Sequence, residues 1–133
     1  MQLTRQADYA VRIVLDLTGR YPQGVARSAE ISRRQHVPRA FLAKIVRGLA
    51  RAGIVQTARG AGGGIRLVED PSQLTLRQVI EAIEGPIRLN RCLLRPRECP
   101  LDRTCPVHPV WQRVQRVLIR ELDAVTFAQL RHP

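Results

Sequence analysis

The segment Arg59-Gly60-Ala61-Gly62-Gly63-Gly64 separates two short β-forming runs, Ile54-Val55-Gln56-Thr57-Ala58 and Ile65-Arg66-Leu67-Val68. Glycine permits positive φ and a close backbone approach, so such a run reverses the chain and pairs the flanking runs as an antiparallel hairpin. A phosphate-cradling glycine loop is the competing reading. It would need a Lys-Ser or Lys-Thr directly after the glycines and a helix opening behind them, and neither is present. A plain β-turn without further use is the other alternative.

The residues before the hairpin give it a context. Thr4 can cap a helix in which Ala7, Ala10, Val11, Val14 and Leu15 recur at helical spacing, ending near Gly19. Val25-Ala26-Arg27 reads as a short strand, and Ser28 is placed to cap a second helix that stops near His36-Val37. Pro38 stands where a third helix starts, with Phe41, Leu42, Ile45, Val46 and Leu49 on its apolar face and Gly53 at its end. Arg39, Lys44, Arg47 and Arg51 fall mostly on the other side. Two helices joined by a tight turn, the second apolar inside and basic outside, make a helix-turn-helix whose second helix can enter a major groove. The hairpin that follows is then a wing, with Arg59 placed to meet phosphate or enter a minor groove.

Charge agrees with that reading. Lys and Arg outnumber Asp and Glu by 22 to 11, a formal charge of +11 on 133 residues, and the isoelectric point is near 11.4. Such an excess points to a polyanionic partner, most simply nucleic acid, against the alternatives of a solubilising basic surface or an anionic membrane. Aromatic residues are only 4% of the chain, too few for the stacking platforms of single-strand and RNA binders, so duplex DNA is favoured. No apolar run approaches membrane-spanning length.

All three cysteines, Cys92, Cys99 and Cys105, lie with His108 in one short proline-rich stretch. Their intervals of six, five and two intervening residues contain no tight CxxC knuckle of the structural zinc type. Thiolates bind cluster iron, and an imidazole can replace one of them, so three Cys and one His form a complete ligand set. Pro96, Pro100, Pro106 and Pro109 stiffen the stretch. Disulfides are the bland alternative. They would leave one thiol over, and the N-terminus carries Arg5, Asp8, Arg12 and Asp16 where a secretion signal would be apolar, so a reducing cytoplasm is expected.

Between hairpin and cysteines, Thr75 begins a helix with Leu76, Val79, Ile80 and Ile83 on one face, closed by Gly85-Pro86. After the cysteines, Val110, Trp111, Val114, Val117, Leu118 and Leu122 predict an amphipathic helix from about Pro109 to Asp123, and a short helix starts at Thr126 with Phe127 and Leu130. One winged unit offers little surface to cover the long helix, so pairing with a second copy is expected; folding back on its own domain is the alternative. The expected organisation is mainly α with a small β-hairpin wing: a winged helix-turn-helix over 1–85, a cysteine-rich loop over 86–108, and a dimerisation helix with a C-terminal helix over 109–133.

The opening Met1-Gln2-Leu3-Thr4 with Asp8-Tyr9-Ala10, the segment Leu49-Ala50-Arg51-Ala52-Gly53-Ile54-Val55, the glycine-rich wing and the three-cysteine loop together carry a family resemblance over nearly the whole chain. The chain resembles the small winged-helix bacterial repressors that include the iron–sulfur regulator IscR, the nitric-oxide sensor NsrR and the cysteine regulator CymR. The resemblance implies a homodimeric, non-enzymatic transcriptional regulator of a double-stranded DNA operator, sensing redox, iron–sulfur status or nitric oxide. It implies one iron–sulfur cluster per subunit on Cys92, Cys99 and Cys105. The fourth ligand divides the family: His108, with Trp111 after it, is similar to the two-iron two-sulfur branch, whereas Asp8 matches a residue that reaches a four-iron four-sulfur cluster from the other subunit. The first cysteine interval is one residue longer than in the best-known members. Ala43 lacks the polar group that some relatives use to read a base. The candidate DNA-contacting residues are Ser28, Arg39, Ala40, Phe41, Lys44, Arg47, Arg59, Gly60, Gly62 and Gly63. Zinc-binding or thiol-switch cysteines, and a ferredoxin-like electron carrier, are the rival readings.

Overall fold

The computed structural model describes residues 2–60 and 64–131. The chain begins with α1 (Arg5–Thr18), held at its start by the Thr4 side chain, which accepts from the Ala7 backbone N–H. The Thr4 hydroxyl also donates to Glu84. Helices α2 (Ser28–Gln35) and α3 (Arg39–Arg51) follow, joined through His36, Val37 and Pro38. His36 takes the left-handed conformation at φ 54°, and Ser32 closes the turn by donating its hydroxyl to the Val37 carbonyl at 2.6 Å. Arg27, not Ser28, is the cap of α2. Glu30 reaches back to accept from the Arg27 N–H, which moves the helix start one residue C-terminal of that cap and makes Ser28 its first residue.

Helix α3 ends in a Schellman turn: Gly53 at φ 78° donates to Ala50, and Ile54 donates to Leu49. Strand β1 (Val55–Ala58) pairs antiparallel with β2 (Gly64–Leu67), in a register running from Val55 opposite Leu67 to Ala58 opposite Gly64. The strand expected at Val25–Arg27 contracts to one bridge, Ala26 with Ile65, made by reciprocal backbone bonds of 2.8 and 2.9 Å. Gly64 is part of β2 rather than of the turn. A Cβ there would lie 2.8 Å from the Ala26 carbonyl oxygen, so this close approach requires glycine.

Helix α4 (Leu76–Glu84) carries a reciprocal cap between Thr75 and Gln78 and ends at Gly85, φ 79°. A single 3-10 turn (Arg91–Leu93) interrupts the cysteine loop, α5 spans His108–Asp123, and the C-terminal helix expected from Thr126 is one 3-10 turn (Phe127–Leu130). Among the described residues, no helix is long and apolar enough to cross a membrane.

One core joins these elements. Ile13, Leu17, Ile31, Leu42, Ile45, Leu49, Val55, Leu67, Leu74, Val79 and Phe127 are buried in it, so residues from both ends of the chain share one apolar interior. In contrast, no residue of α5 is fully buried within the chain, and only His108, Gln115, Ile119 and Leu122 are half-buried. Its C-terminal end is tied down by an ion pair between Arg77 and Asp123 at 2.9 Å and by backbone bonds from Leu76 to Val125 and from Phe127 to Leu74.

The orientation of α1 against α2 rests on Asp16, whose side chain is only 4% exposed. Its carboxylate accepts from Arg34 at 2.8 and 2.9 Å and from Gln35 at 3.2 Å. Burial alone would raise the Asp16 pKa, but the Arg34 and Gln35 hydrogen bonds and the charges of Arg34 and Arg20 outweigh it and hold the group below its ordinary value of 3.8. A depressed folded-state pKa contributes stability that is fully present above the unfolded value and is lost as pH falls through the folded one. Asp16→Asn is therefore expected to cost roughly 1–3 kcal/mol at neutral pH, discounted for the partly exposed Arg34. Urea unfolding at pH 7 and below pH 3 checks this: the gap between wild type and variant should narrow in acid, and a constant gap would remove Asp16 ionisation as its cause.

Candidate functional site

The loop between α4 and α5 has no sheet or helix of its own to shape it beyond the 3-10 turn, so hydrogen bonds and short turns set its form. Asn90 caps that turn by accepting from the Arg91 N–H at 2.8 Å. Asp102 accepts from the Arg97 N–H at 2.7 Å, and Cys105 donates back to Leu101 at 2.7 Å. Gln115 of α5 accepts from the Leu89 N–H at 2.7 Å, fastening the start of the loop to the helix at its end.

These constraints bring Cys92, Cys99, Cys105 and His108 onto the wall of one cavity of about 400 Å³, together with Trp111, Glu98 and Asp102. All three thiols are free and half-buried. No three of the described His, Cys, Asp and Glu side chains stand close enough together to hold a single metal ion. The His108 Nδ1 atom is buried and has no hydrogen-bond partner, a costly state for an imidazole. Asp8 is elsewhere. Its carboxylate pairs with Arg12 at 2.8 Å on the surface of α1, and it does not line the cavity. The carboxylates Glu98 and Asp102 on the wall were not anticipated from sequence, although their positions among the cysteines were the available signal.

The helix-turn-helix presents a second constellation. Arg39, Ala40, Phe41, Ala43, Lys44 and Arg47 are all exposed along one side of α3, while Leu42, Ile45, Val46 and Leu49 are buried on the other. Phe41 departs from the expected apolar face: it is 38% exposed, and its ring stands 5.8 Å from that of Tyr9. The helical arc explains this, since Phe41 lies one residue outside the stripe set by Leu42, Ile45 and Leu49. Ser28 is half-buried at the start of α2, and Arg59 and Gly60 are exposed at the wing, with Gly60 at φ 96°. Gly62 and Gly63 lie outside the described residues.

Comparison with known proteins places this geometry in a family. Residues 3–133 match the Rrf2 profile, described as an iron-dependent transcriptional regulator. A putative HTH-type transcriptional regulator of Haemophilus influenzae is 32% identical over 130 residues, covering 98% of this chain and 86% of its own. The HTH-type transcriptional regulator IscR of Serratia proteamaculans is 30% identical, covering 98% and 79%. Among solved structures, CymR, the global cysteine regulator of B. subtilis, superposes with a TM-score of 0.79 at 25% identity, over 98% of this chain and 95% of that one. A match across nearly every residue, together with the helix-turn-helix, wing and long final helix, leaves one assignment: the chain belongs to the Rrf2 family of winged-helix transcriptional regulators, which are DNA-binding proteins and not enzymes.

Proposed function

We propose that this regulator binds duplex DNA as a homodimer and holds an iron–sulfur cluster on Cys92, Cys99, Cys105 and His108. The observation that carries the reading is the shared cavity, with three free thiols and an imidazole whose buried Nδ1 has no partner. The donor set fits the group, because thiolate sulfur and imidazole nitrogen are cluster ligands. Similarity to a relative named IscR supports the same choice. A cluster so held would supply a redox-responsive, oxidant-sensitive iron centre.

The chain's own residues couple that cavity to the DNA-binding unit. His108 is the first residue of α5, and Gln115, two turns on, grips Leu89 before the cysteines. Drawing Cys92 and His108 toward a common centre therefore fixes the loop against the start of α5. The other end of α5 is bound to α4 through Asp123 and Arg77. The exposed side of α5 carries Val110, Trp111, Val114, Val117 and Leu118, each more than a third exposed, the face on which a second copy would pack. Loop arrangement would thus be passed to dimer geometry, and through it to the spacing of two α3 helices on an operator.

The test is protein isolated anaerobically and examined by absorption, Mössbauer and native mass spectrometry. Cys92→Ala, Cys99→Ala and Cys105→Ala should each lose the visible absorption, His108→Ala should lose it or become oxygen-labile, and Asp8→Ala should keep it. Loss in the Asp8 variant with retention in the His108 variant would move the fourth ligand to the partner subunit's α1. Colourless protein containing zinc or no metal would replace the cluster by a structural metal or thiol switch.

A further inference from the structure

A second cavity, of about 610 Å³, lies against the thiol cavity and shares Cys92, Asp102 and His108 with it. Its character is different. Arg88, Arg97, Arg103 and Arg116 line it, and none of these guanidinium groups has an ion-pair partner among the described residues. A fifth arginine, Arg95, is already neutralised by Glu98 at 3.0 Å. The one carboxylate on the wall is Asp102, and it is engaged by the Arg97 backbone. Arg97 itself is held in the left-handed conformation at φ 67°, uncommon for a branched-free but bulky side chain and fixed here by that Asp102 bond.

Four guanidinium groups without an ion-pair partner among the described residues, of which Arg88 already donates to the Ile87 carbonyl at 2.8 Å, create a positive potential around one concavity that low-dielectric walls focus. Guanidinium groups match carboxylate and phosphate oxygens through paired N–H donors. The volume falls within the range of small-molecule sites and far exceeds what a chloride ion needs. The Gln112 side chain, also on the wall, has no hydrogen-bond partner among the described residues and adds an adaptable donor and acceptor. The lining comes only from residues 88–116, with no contribution from α2, α3 or the wing, so the cavity is separate from the helix-turn-helix surface.

We propose that this arginine-lined cavity binds a compact multivalent oxyanion, a phosphate ester or a di- or tricarboxylate, and that its occupancy is felt at Cys92. The site stands whether or not the neighbouring thiols hold a cluster. Because the two cavities have Cys92, Asp102 and His108 in common, a group bound in one changes the surroundings of these shared residues in the other, and by linkage the effect is reciprocal.

Calorimetric titration of the full-length protein with inorganic pyrophosphate and, separately, with citrate, at ionic strength fixed with KCl, tests the site. Saturable binding of one probe per chain is expected. Preference for pyrophosphate assigns a phosphoryl ligand and preference for citrate a carboxylate one. Arg103→Gln and Arg116→Gln, both changes at exposed positions that leave the core untouched, should each weaken binding by about tenfold or more, the loss of one charge-assisted contact. With the thiols free, the bound probe should slow iodoacetamide alkylation of Cys92 severalfold and leave Cys99 and Cys105, which do not line this cavity, unchanged. The proposal is overturned by absence of saturable binding to either probe, by unchanged affinity in both variants, or by equal protection of all three cysteines. It is also overturned if the two variants lose DNA affinity while binding the probes normally, which would make these arginines contacts for duplex phosphate.

Discussion

A variant carrying Arg39→Ala, Lys44→Ala and Arg47→Ala together is expected to lose operator affinity by roughly 3–6 kcal/mol, a factor of about 10²–10⁴, while folding normally. All three side chains are exposed on the same side of α3, and the residues that anchor that helix, Leu42, Ile45, Val46 and Leu49, are unchanged. Exposed substitutions away from caps and buried partners rarely move stability by more than about 0.5 kcal/mol each. In a homodimer every substitution is made twice, so up to six phosphate contacts disappear and the slope of log affinity against log salt should become shallower by as much as ~5. Fluorescence anisotropy over a salt series measures both quantities. Unchanged affinity with an unchanged slope would take this face of α3 off the DNA.

The same helix illustrates what was legible in the sequence. Its buried stripe, its start behind Pro38 and its end at Gly53 follow from side-chain period and from the φ that only glycine readily supplies, and the structure has each of them. Phe41 was misjudged because an aromatic residue adjoining an apolar stripe satisfies the period to within one position, and Tyr9, which takes its ring, comes from another helix. Ser28 failed as a cap for a related reason: a good capping residue was present, but Glu30 selected its neighbour by reaching back three residues. The Tyr9 contact is one that sequence spacing does not encode, whereas the three-residue interval from Arg27 to Glu30 was there to be read.

Legibility of the loop was uneven. Cys92, Cys99, Cys105 and His108 are close in sequence and stand on one cavity wall, so proximity along the chain served as a guide to proximity in space. The arginine-lined cavity was not visible in this way. Arg88 precedes the loop, Arg97 and Arg103 lie within it and Arg116 belongs to α5, with no common period, and in the sequence they dissolve into the general basic excess. Only the folded loop shows that they surround one space without acidic partners. Asp8 is different again: it pairs with Arg12 on the surface of α1, away from the thiol cavity of its own chain, so nothing in its local surroundings marks it as a ligand.

The far end of α5 gives the largest expected effect on stability. Phe127→Ala should destabilise the protein by about 3–5 kcal/mol, and Phe127→Leu by about 1.5 kcal/mol or less. Phe127 is completely buried and belongs to the same core as α1 and α3, although it lies beyond a helix with no fully buried residue. Its backbone N–H bonds to Leu74 at 2.9 Å, directly before α4, and Thr126 bridges to Thr75. Removing the ring leaves a cavity whose collapse the Leu74 and Thr75 backbone contacts oppose, which is why the cost should reach the range for aromatic truncation. The consequence reaches beyond stability. A 16-residue helix is ~24 Å long, so α5 carries the thiol cavity at one end and depends on Phe127, Asp123 and their partners at the other to keep its direction relative to α3 and α4. In the alanine variant the helix should stay formed but lose that fixed direction, and operator binding should weaken at temperatures where the core is still folded. Chemical denaturation followed by circular dichroism gives the first number, and DNA binding well below the transition gives the second. A cost under about 1 kcal/mol would mean that Phe127 is not the anchor, and normal DNA binding by a strongly destabilised variant would mean that the direction of α5 is set at its other end, by the loop and by the partner subunit.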